Sequence, residues 1–173
     1  MAHHREAGEM TGRRRTEDPL RDTWAIVPLS DGQYAEALAI TSDLREWFTP
    51  TGLANLAKDL KFQVGVAAMR GERLVGFLCY YSEQGVGHIG WLAVNPGLHR
   101  QGIGRALVQH VIERLQHAGI SEVRVETLGD AVAYEPYART RAFYRALGFV
   151  DYQRITQDNP ECEELLILRR AIP

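Results

Sequence analysis

The most informative part of the chain is residues 91–107, which read WLAVNPGLHRQGIGRAL. The first four residues are apolar and predict a buried strand. Asn95-Pro96-Gly97 would end this strand, because proline lacks a backbone donor and glycine permits a turn. From Ile103 onward, apolar residues recur at helical spacing as far as Leu115. A strand, a glycine-containing turn and an amphipathic helix are therefore predicted in succession.

The turn between this strand and this helix is a candidate anion site. The first N–H groups of a helix have no partner within it and carry a partial positive charge. Gly102 and Gly104 remove side chains that would block close approach of a pyrophosphate. A glycine pair before a helix also occurs simply to make a tight turn, so both interpretations stay open at this point. The candidate residues are His99, Arg100, Gln101, Gly102, Ile103, Gly104 and Arg105.

Two other kinds of phosphate-binding loop do not fit this turn. A nucleoside-triphosphate loop needs a lysine followed by serine or threonine, and the turn has neither. A dinucleotide-binding fold normally has three spaced glycines after its first strand, whereas this turn follows about the fourth predicted strand.

Outward from this segment, the chain reads as a mixture of helices and strands. Strands are predicted at 23–29, 62–68, 74–81, 88–94, 121–128, 149–155 and 162–169, and helices at 33–47, 53–60, 103–118 and 137–147. Gly119 and Gly148 are typical helix-ending residues. This order predicts an α/β fold.

Composition and length are those of a folded, water-soluble protein. The chain has 173 residues, 45% of them hydrophobic, and a formal charge of -2. This length fits one domain, which we expect at residues 23–173, with the polar residues 1–22 as a disordered tail. Without a global positive charge, we expect neither nucleic acid nor an anionic membrane as a partner. No apolar run reaches the roughly 18 to 20 residues that cross a bilayer.

The cysteines and the other potential metal ligands predict neither a disulfide bond nor a metal site. Cys79 and Cys162 each fall in a predicted strand, and so few cysteines indicate a reduced, cytoplasmic protein. No group of histidine, cysteine or carboxylate residues has the spacing of metal ligands, so no metal site is predicted.

A second block, residues 140–149, reads TRAFYRALGF and places an aromatic pair before Leu-Gly-Phe. Together with VNPGLHRQGIGRAL, residues 94–107, it resembles the two characteristic motifs of the GNAT superfamily of N-acetyltransferases. The resemblance implies one α/β domain with a mixed, mostly antiparallel sheet flanked by helices. It also implies acetyl-CoA as cosubstrate and direct transfer of the acetyl group to a primary amine.

The resemblance implies roles for individual residues. The backbone of residues 92–94 would pair with the pantetheine arm where the fourth and fifth strands separate, and one N–H there would polarise the thioester carbonyl. Tyr144 matches the family tyrosine that protonates the leaving thiolate. His99 departs from the usual Arg or Gln, and Tyr137 departs from a common Asn. The implied cofactor contacts outside the glycine turn are Leu92, Ala93, Val94, Tyr137, Thr140 and Phe143.

The attacking amine must be neutral, and only about one alkyl ammonium in a thousand is neutral at pH 7. A base or a desolvating pocket is therefore needed. Glu126, on the opposite face of its predicted strand from Val125, is the first candidate base, and His88 is the second. A solvated glutamate and a structural histidine are the alternatives for these two residues. Tyr134 and Glu135 are candidates to line the substrate entrance.

The acceptor is less constrained by the sequence. A small-molecule amine and a peptide amine both fit, and a homodimer is the expected assembly. The rival hypothesis is a domain of the same fold that binds acyl-CoA without turnover, as a sensor or interaction module; Tyr144 favours the enzyme. Five aromatic residues are candidates for an acceptor pocket, although core packing is the commoner role for such residues: Trp47, Phe48, Tyr80, Tyr81 and Trp91.

Overall fold

A computed structural model describes residues 23–131, 133–160 and 162–173. The expected tail, residues 1–22, lies outside the described residues. Within them the helices and strands follow the predicted order. The strands are β1 (Ala25–Pro28), β2 (Val64–Arg70), β3 (Arg73–Glu83), β4 (Val86–Val94), β5 (Glu122–Leu128), β6 (Val150–Thr156) and β7 (Glu164–Ala171), and the α-helices are α1 (Tyr34–Ser42), α2 (Pro50–Asp59), α3 (Ile103–His117) and α4 (Glu135–Ala146).

The strands form one sheet in the order β1-β2-β3-β4-β5-β7-β6. Strands β4 and β5 pair in parallel, and the other neighbours pair in antiparallel. The predicted mixed, mostly antiparallel sheet is confirmed. No helix in the described ranges is long and apolar enough to span a membrane.

Helices α3 and α4 cover one face of the sheet, which we call the α3 face. The apolar residues of α3 recur at helical spacing and all lie in the core, so the helix forms because folding removes this stripe from water. Tyr144 and Leu147 bring α4 into the same core. The buried stripe consists of Ile103, Leu107, Val108, Val111, Ile112 and Leu115.

Helices α1 and α2 cover the opposite face, which we call the α1 face. Ala37 and Ile40 of α1 and Leu56 of α2 pack there against Phe77 and Ala93 of the sheet. Because successive side chains of a strand point to opposite faces, β3 and β4 contribute to both cores. The sheet is therefore buried on both sides near the middle.

Three helix boundaries differ from the sequence prediction. Helix α1 ends at Ser42 rather than near Trp47, and residues 43–48 form hydrogen-bonded turns. Helix α2 begins at Pro50 because the Thr49 side chain accepts a hydrogen bond from the Gly52 N–H, so the predicted linker is the cap and first turn. Helix α4 begins at Glu135, with Pro136 in its first turn.

The prediction that Cys162 lies in a strand is wrong. Its N–H donates to the carbonyl of Asn159 in a turn, and β7 starts two residues later at Glu164. Cys79 lies in β3 as predicted and is fully buried.

Strands β4 and β5 separate after a short paired region. Their register has three pairs, of which the last is Ile89 with Val125, although β4 runs on to Val94 and β5 to Leu128. Gly90 is an extra residue in β4, because Ile89 pairs with Tyr80 while Trp91 pairs with Cys79. A Cβ at Gly90 would meet the end of the Gln63 side chain, which would have to move aside. The resulting opening is called the β4–β5 gap below.

Candidate active site

The glycine turn lies where the chain enters α3. Gly102 is the N-cap residue with a φ of +84°, and Arg100 two residues earlier also has a positive φ, +63°. The Ala106 N–H donates to the Gly102 carbonyl, which starts the helical hydrogen bonds. Since Gly102 has no side chain, no N-cap side chain occupies the first N–H groups of α3, and this turn can accept an anion.

Two polar side chains of the turn already form hydrogen bonds within the protein. The Gln101 side-chain oxygen accepts a hydrogen bond from Arg70 at 3.4 Å. The His99 Nε2 lies 2.8 Å from the Val94 carbonyl oxygen, and because a carbonyl only accepts, this nitrogen carries the proton. Arg100 and Arg105 are exposed. The structure therefore brings the predicted anion-binding residues together at one helix end.

Residues Leu92, Ala93 and Val94 border the β4–β5 gap. One edge of this segment pairs with β3, and the other edge faces the gap, since β5 has already diverged. Leu92 and Val94 pack toward the α3 face and Ala93 toward the α1 face. A free strand edge of this kind accepts an extended ligand by backbone hydrogen bonds.

Tyr144 lies on the α3 face and is 4% exposed. Its ring makes edge-to-face contacts with Phe143 and Phe149, at centroid distances of 5.0 and 5.3 Å. Burial raises the pKa of the Tyr144 hydroxyl well above its usual range. The phenol therefore keeps its proton at every pH near neutrality.

Glu126 and His88, the two candidate bases, lie on the α1 face near Tyr81. The His88 ring stacks on the Tyr81 ring, with centroids 4.8 Å apart and planes 8° from parallel. Desolvation first, and then the negative charge of Glu126, raise the pKa of Tyr81, which places the exposed Glu126 carboxylate within electrostatic reach of that phenol. The same two causes raise the pKa of Cys162.

A second cleft of about 280 Å³ opens beside the end of β5. We call it the side cleft. One wall is the α1–α2 connection and another is the start of α4, and the β6–β7 connection closes the third side. Tyr134, predicted at a substrate entrance, lines the side cleft, whereas its predicted companion Glu135 does not. The lining residues are Arg45, Glu46, Trp47, Thr49, Leu128, Gly129, Tyr134, Tyr137, Pro160, Cys162, Glu163 and Glu164.

The candidate aromatic residues divide between core and cleft. Phe48 stacks on Trp91 at 5.9 Å, and the Trp91 Nε1 donates to Asp59, so both belong to the α1-face packing. Tyr80 is buried, whereas Tyr81 is exposed beside His88. Trp47 alone of the five lines the side cleft.

Arg141 is a further residue at this site that the sequence did not single out. It is 6% exposed, and its Nη1 donates to the Leu128 and Gly129 carbonyls, each at 2.8 Å. These hydrogen bonds join α4 to the end of β5, where the side cleft begins. In the described ranges, no group of three or more histidine, cysteine or carboxylate residues is placed to hold a metal ion.

A model of the acetyltransferase (GNAT) family matches residues 29–149 of the chain. This chain belongs to the acetyltransferase (GNAT) family. The matched region runs from the end of β1 to the residue before β6. It therefore includes the GNAT glycine turn, the β4–β5 gap and Tyr144.

Individual GNAT relatives agree in fold and differ in their acceptors. The [ribosomal protein bS18]-alanine N-acetyltransferase of Escherichia coli is 36% identical over 58 residues, which are 34% of this chain and 35% of that protein. The chain thus spans about a third of the length of the curated relatives it matches. A crystal structure of the Escherichia coli ribosomal-protein-S18-alanine N-acetyltransferase superimposes with a TM-score of 0.69 at 20% identity, covering 87% of this chain and 94% of the other.

Two further GNAT-fold structures are similar over the same region. A putative GNAT acetyltransferase from Desulfovibrio desulfuricans has a TM-score of 0.76 at 21% identity, with 87% of this chain and all of the other covered. An aminoglycoside 6'-N-acetyltransferase complexed with coenzyme A has a TM-score of 0.66 at 14% identity, covering 86% of this chain and 97% of that one. At these identities the likeness shows the fold.

Proposed function

We propose that the protein transfers an acetyl group from acetyl-CoA to a primary amine by direct attack of the amine on the thioester. One observation carries the proposal: the backbone edge of residues 92–94 faces the β4–β5 gap, and β5 carries Glu126 on the α1 face while Tyr144 is buried on the α3 face. A ligand in the gap would lie between these two faces of the sheet.

The cofactor would lie along β4 and end at α3. The unpaired N–H groups at the start of α3 suit its pyrophosphate, and Gly104 leaves room for close approach. The free edge of residues 92–94 would pair with the pantetheine arm, and an N–H of this segment would polarise the thioester carbonyl. Phe143, Thr140 and Tyr137 would contact the cofactor from α4.

Glu126 is the better of the two candidate bases. It follows Val125, the last residue of β5 to pair with β4, so its backbone borders the gap. His88 lies within the paired region, and its ring is stacked on Tyr81. The Glu126 carboxylate would take the proton from the ammonium form of the acceptor, directly or through a water, and the neutral amine nitrogen would then attack the thioester carbon.

Tyr144 would supply the proton that leaves with CoA. As the carbon–sulfur bond breaks, the thiolate would take the phenolic proton. The attacking nitrogen, which is cationic once it is bonded to the carbonyl carbon, would release its surplus proton to solvent to give the neutral amide, and the phenolate would be reprotonated from solvent after product release. Burial raises the pKa of Tyr144, so the group is fully protonated before reaction. The same burial makes the phenol a weaker acid, and the desolvated surroundings offset this because they also make the thiolate more basic.

The first acceptor to test is a short peptide with an N-terminal alanine, because the Escherichia coli relative is named for an alanine of a ribosomal protein. Tyr144→Phe should lower kcat by roughly 100-fold or more, while calorimetry finds acetyl-CoA affinity within about twofold of wild type. Glu126→Gln should lower kcat at neutral pH, because the glutamine amide cannot take a proton from the acceptor.

Three outcomes would count against parts of this proposal. Full turnover by Tyr144→Phe removes Tyr144 as the acid. Failure of the wild-type protein to bind acetyl-CoA, with NADH as the matched negative control, removes the cofactor assignment. Tight acetyl-CoA binding without release of CoA thiol on any primary amine favours the rival sensor or interaction module.

A further inference from the structure

Trp47 lies between the side cleft and the residues assigned to the cofactor. Its indole Nε1 is 3.1 Å from both the Pro136 carbonyl oxygen and the Thr140 Oγ1, so one N–H is shared between two acceptors of α4. The edge of its ring meets His99 at a centroid distance of 6.3 Å and an interplanar angle of 75°. One side chain thus contacts both α4 and the glycine turn.

Further contacts attach the same loop to α4. The Tyr137 hydroxyl donates to the Trp47 carbonyl at 2.8 Å. The Arg139 guanidinium lies 5.4 Å from the centre of the indole ring, and it pairs with Glu46 at 3.6 Å. All of these contacts join the α1–α2 connection to the first two turns of α4.

This attachment joins two walls of the side cleft. Arg45, Glu46, Trp47 and Thr49 form one wall, and Tyr134 and Tyr137 form the facing wall. The hydrogen bonds of Trp47 and Tyr137 join these two walls, whereas the exposed charge pair of Glu46 and Arg139 adds little. A change at Trp47 should therefore change the distance between the walls.

We propose that Trp47 is a positioning residue that determines acceptor specificity by holding the α1–α2 connection against α4. The inference rests on the proposed function, because it takes the side cleft as the path by which the amine reaches the β4–β5 gap. The hydrogen bonds donated by the indole N–H are what hold the connection in this position. Phenylalanine would keep the ring contacts with His99 and Arg139 but leave the two acceptors on α4 without this donor.

The test compares Trp47→Phe and Trp47→Ala with wild type, and Trp24→Phe is the matched control, since Trp24 is half-buried at the edge of the α3-face core. The acceptor probes are n-butylamine and a tetrapeptide with an N-terminal alanine. Trp47→Phe should raise the peptide KM by about tenfold, the effect of one lost hydrogen bond of about 1.4 kcal/mol, while the acetyl-CoA Kd stays within about threefold. Trp47→Ala should also lower the peptide-to-butylamine ratio of kcat/KM.

Hydrogen exchange supplies a readout that needs no acceptor. The Trp47 and Phe48 N–H groups both donate to the Leu44 carbonyl, at 2.9 and 3.0 Å. Their exchange should be about tenfold faster in Trp47→Phe than in wild type or Trp24→Phe, because the loop opens more often.

The outcomes separate this inference from the proposed function. Unchanged peptide KM in both Trp47 variants, or an acetyl-CoA Kd weakened as much as the peptide KM, overturns the inference while the proposed function stands. If wild type binds no acetyl-CoA or acetylates neither probe, the proposed function fails. The proposed role of Trp47 in acceptor specificity then fails as well. Faster exchange in Trp47→Phe would support only its role in attaching the loop to α4.

Discussion

At the scale of single residues, Gly102 and Gly104 serve different physical needs within one turn. A Cβ at Gly102 would meet nothing within 4 Å, but its φ of +84° is unfavourable for any other residue. Gly104 is in the first turn of α3, where a Cβ would make an ordinary contact with Phe143 at 3.5 Å. The first glycine is needed for backbone conformation, whereas the second would leave space for the proposed pyrophosphate in front of the helix.

These differences give opposite expectations for two alanine substitutions. Gly102→Ala should lower the free energy of unfolding by about 1 kcal/mol, because a left-handed backbone conformation is strained for alanine. Gly104→Ala should leave stability nearly unchanged and weaken acetyl-CoA binding, and Gly104→Glu should abolish binding by repelling the pyrophosphate. Urea unfolding and calorimetry measure the two effects. Normal acetyl-CoA affinity in a folded Gly104→Glu protein would contradict the placement of the pyrophosphate.

The two cysteines should differ in their reaction with iodoacetamide. Burial, with the charge of Asp59 as a smaller cause, raises the pKa of Cys79 to about 12, and its side chain is inaccessible. Cys162 is partly exposed in the side cleft, although burial raises its pKa too. Since the thiolate is the reactive form, we expect slow labelling of Cys162 that accelerates with pH, and none of Cys79 in the folded protein.

Mass spectrometry of the labelled protein checks this expectation, with Cys162→Ser as the control. A saturating amine acceptor should slow the labelling of Cys162, because both would occupy the side cleft. Labelling that is equally fast with and without a turned-over acceptor would place the acceptor elsewhere.

At the scale of helices and strands, Arg141 joins α4 to the end of β5 by hydrogen bonds. Its guanidinium is nearly buried and donates to two backbone carbonyls. Arg141→Met should lower the free energy of unfolding by roughly 3 kcal/mol, since both carbonyls lose a charged donor. Arg139→Met, on the exposed side of the same helix, should cost less than about 1 kcal/mol. Urea denaturation of the two variants provides the comparison, and equal losses would contradict the structural role of Arg141.

The order of helices and strands was predictable from sequence wherever a local signal was strong. Helix α3 has a continuous apolar stripe and a glycine with a φ of +76° after its last turn, and its position is confirmed. Helix α1 was predicted too long: it ends at Ser42, and Trp47, its predicted last residue, forms hydrogen bonds with α4 instead. The hydrogen-bond partners of Trp47 lie 89 and 93 residues away in the chain, and no local sequence pattern indicates them.

The candidate site was predictable only in part, for the same reason. The glycine turn and the aromatic block are contiguous in sequence, so their residues were found together. The side cleft joins four segments that are distant in the chain. Of its lining residues, the sequence indicated Tyr134, Tyr137, and Trp47 as one of the candidate aromatic residues. The bulge at Gly90 was also missed, because it depends on how β4 pairs with β3, a different segment of the chain.

At the scale of the whole molecule, the sheet consists of two parts, β1 to β4 and β5 to β7. Three register pairs between β4 and β5 join them, together with the shared core under α3. A cofactor in the β4–β5 gap would contact both parts. Ligand binding to the native state alone stabilises it by about 2.7 kcal/mol at 100 times Kd. We therefore expect acetyl-CoA at this concentration to raise Tm by roughly 5 to 10 °C.

Thermal melts with acetyl-CoA, with NADH and with no ligand test this expectation, and Gly104→Glu is the matched variant. Amide exchange should slow on both sides of the gap, in β4 and in β5. A Tm rise of the same size with NADH, or in Gly104→Glu, would show that the stabilisation is not specific to this gap.

The short pairing between β4 and β5 also determines how the folded chain would carry mechanical load. Strand β1 lies at one edge of the sheet, and β7, which ends the chain, lies beyond β5 on the other side. Tension applied between the two ends of the described fold would pass through the three pairs from Gly87–Val123 to Ile89–Val125 and through the shared core under α3. Because β4 and β5 have fewer register pairs than any other neighbouring strands of this sheet, we expect them to separate early under force, and a cofactor bound in the gap as proposed would resist that separation.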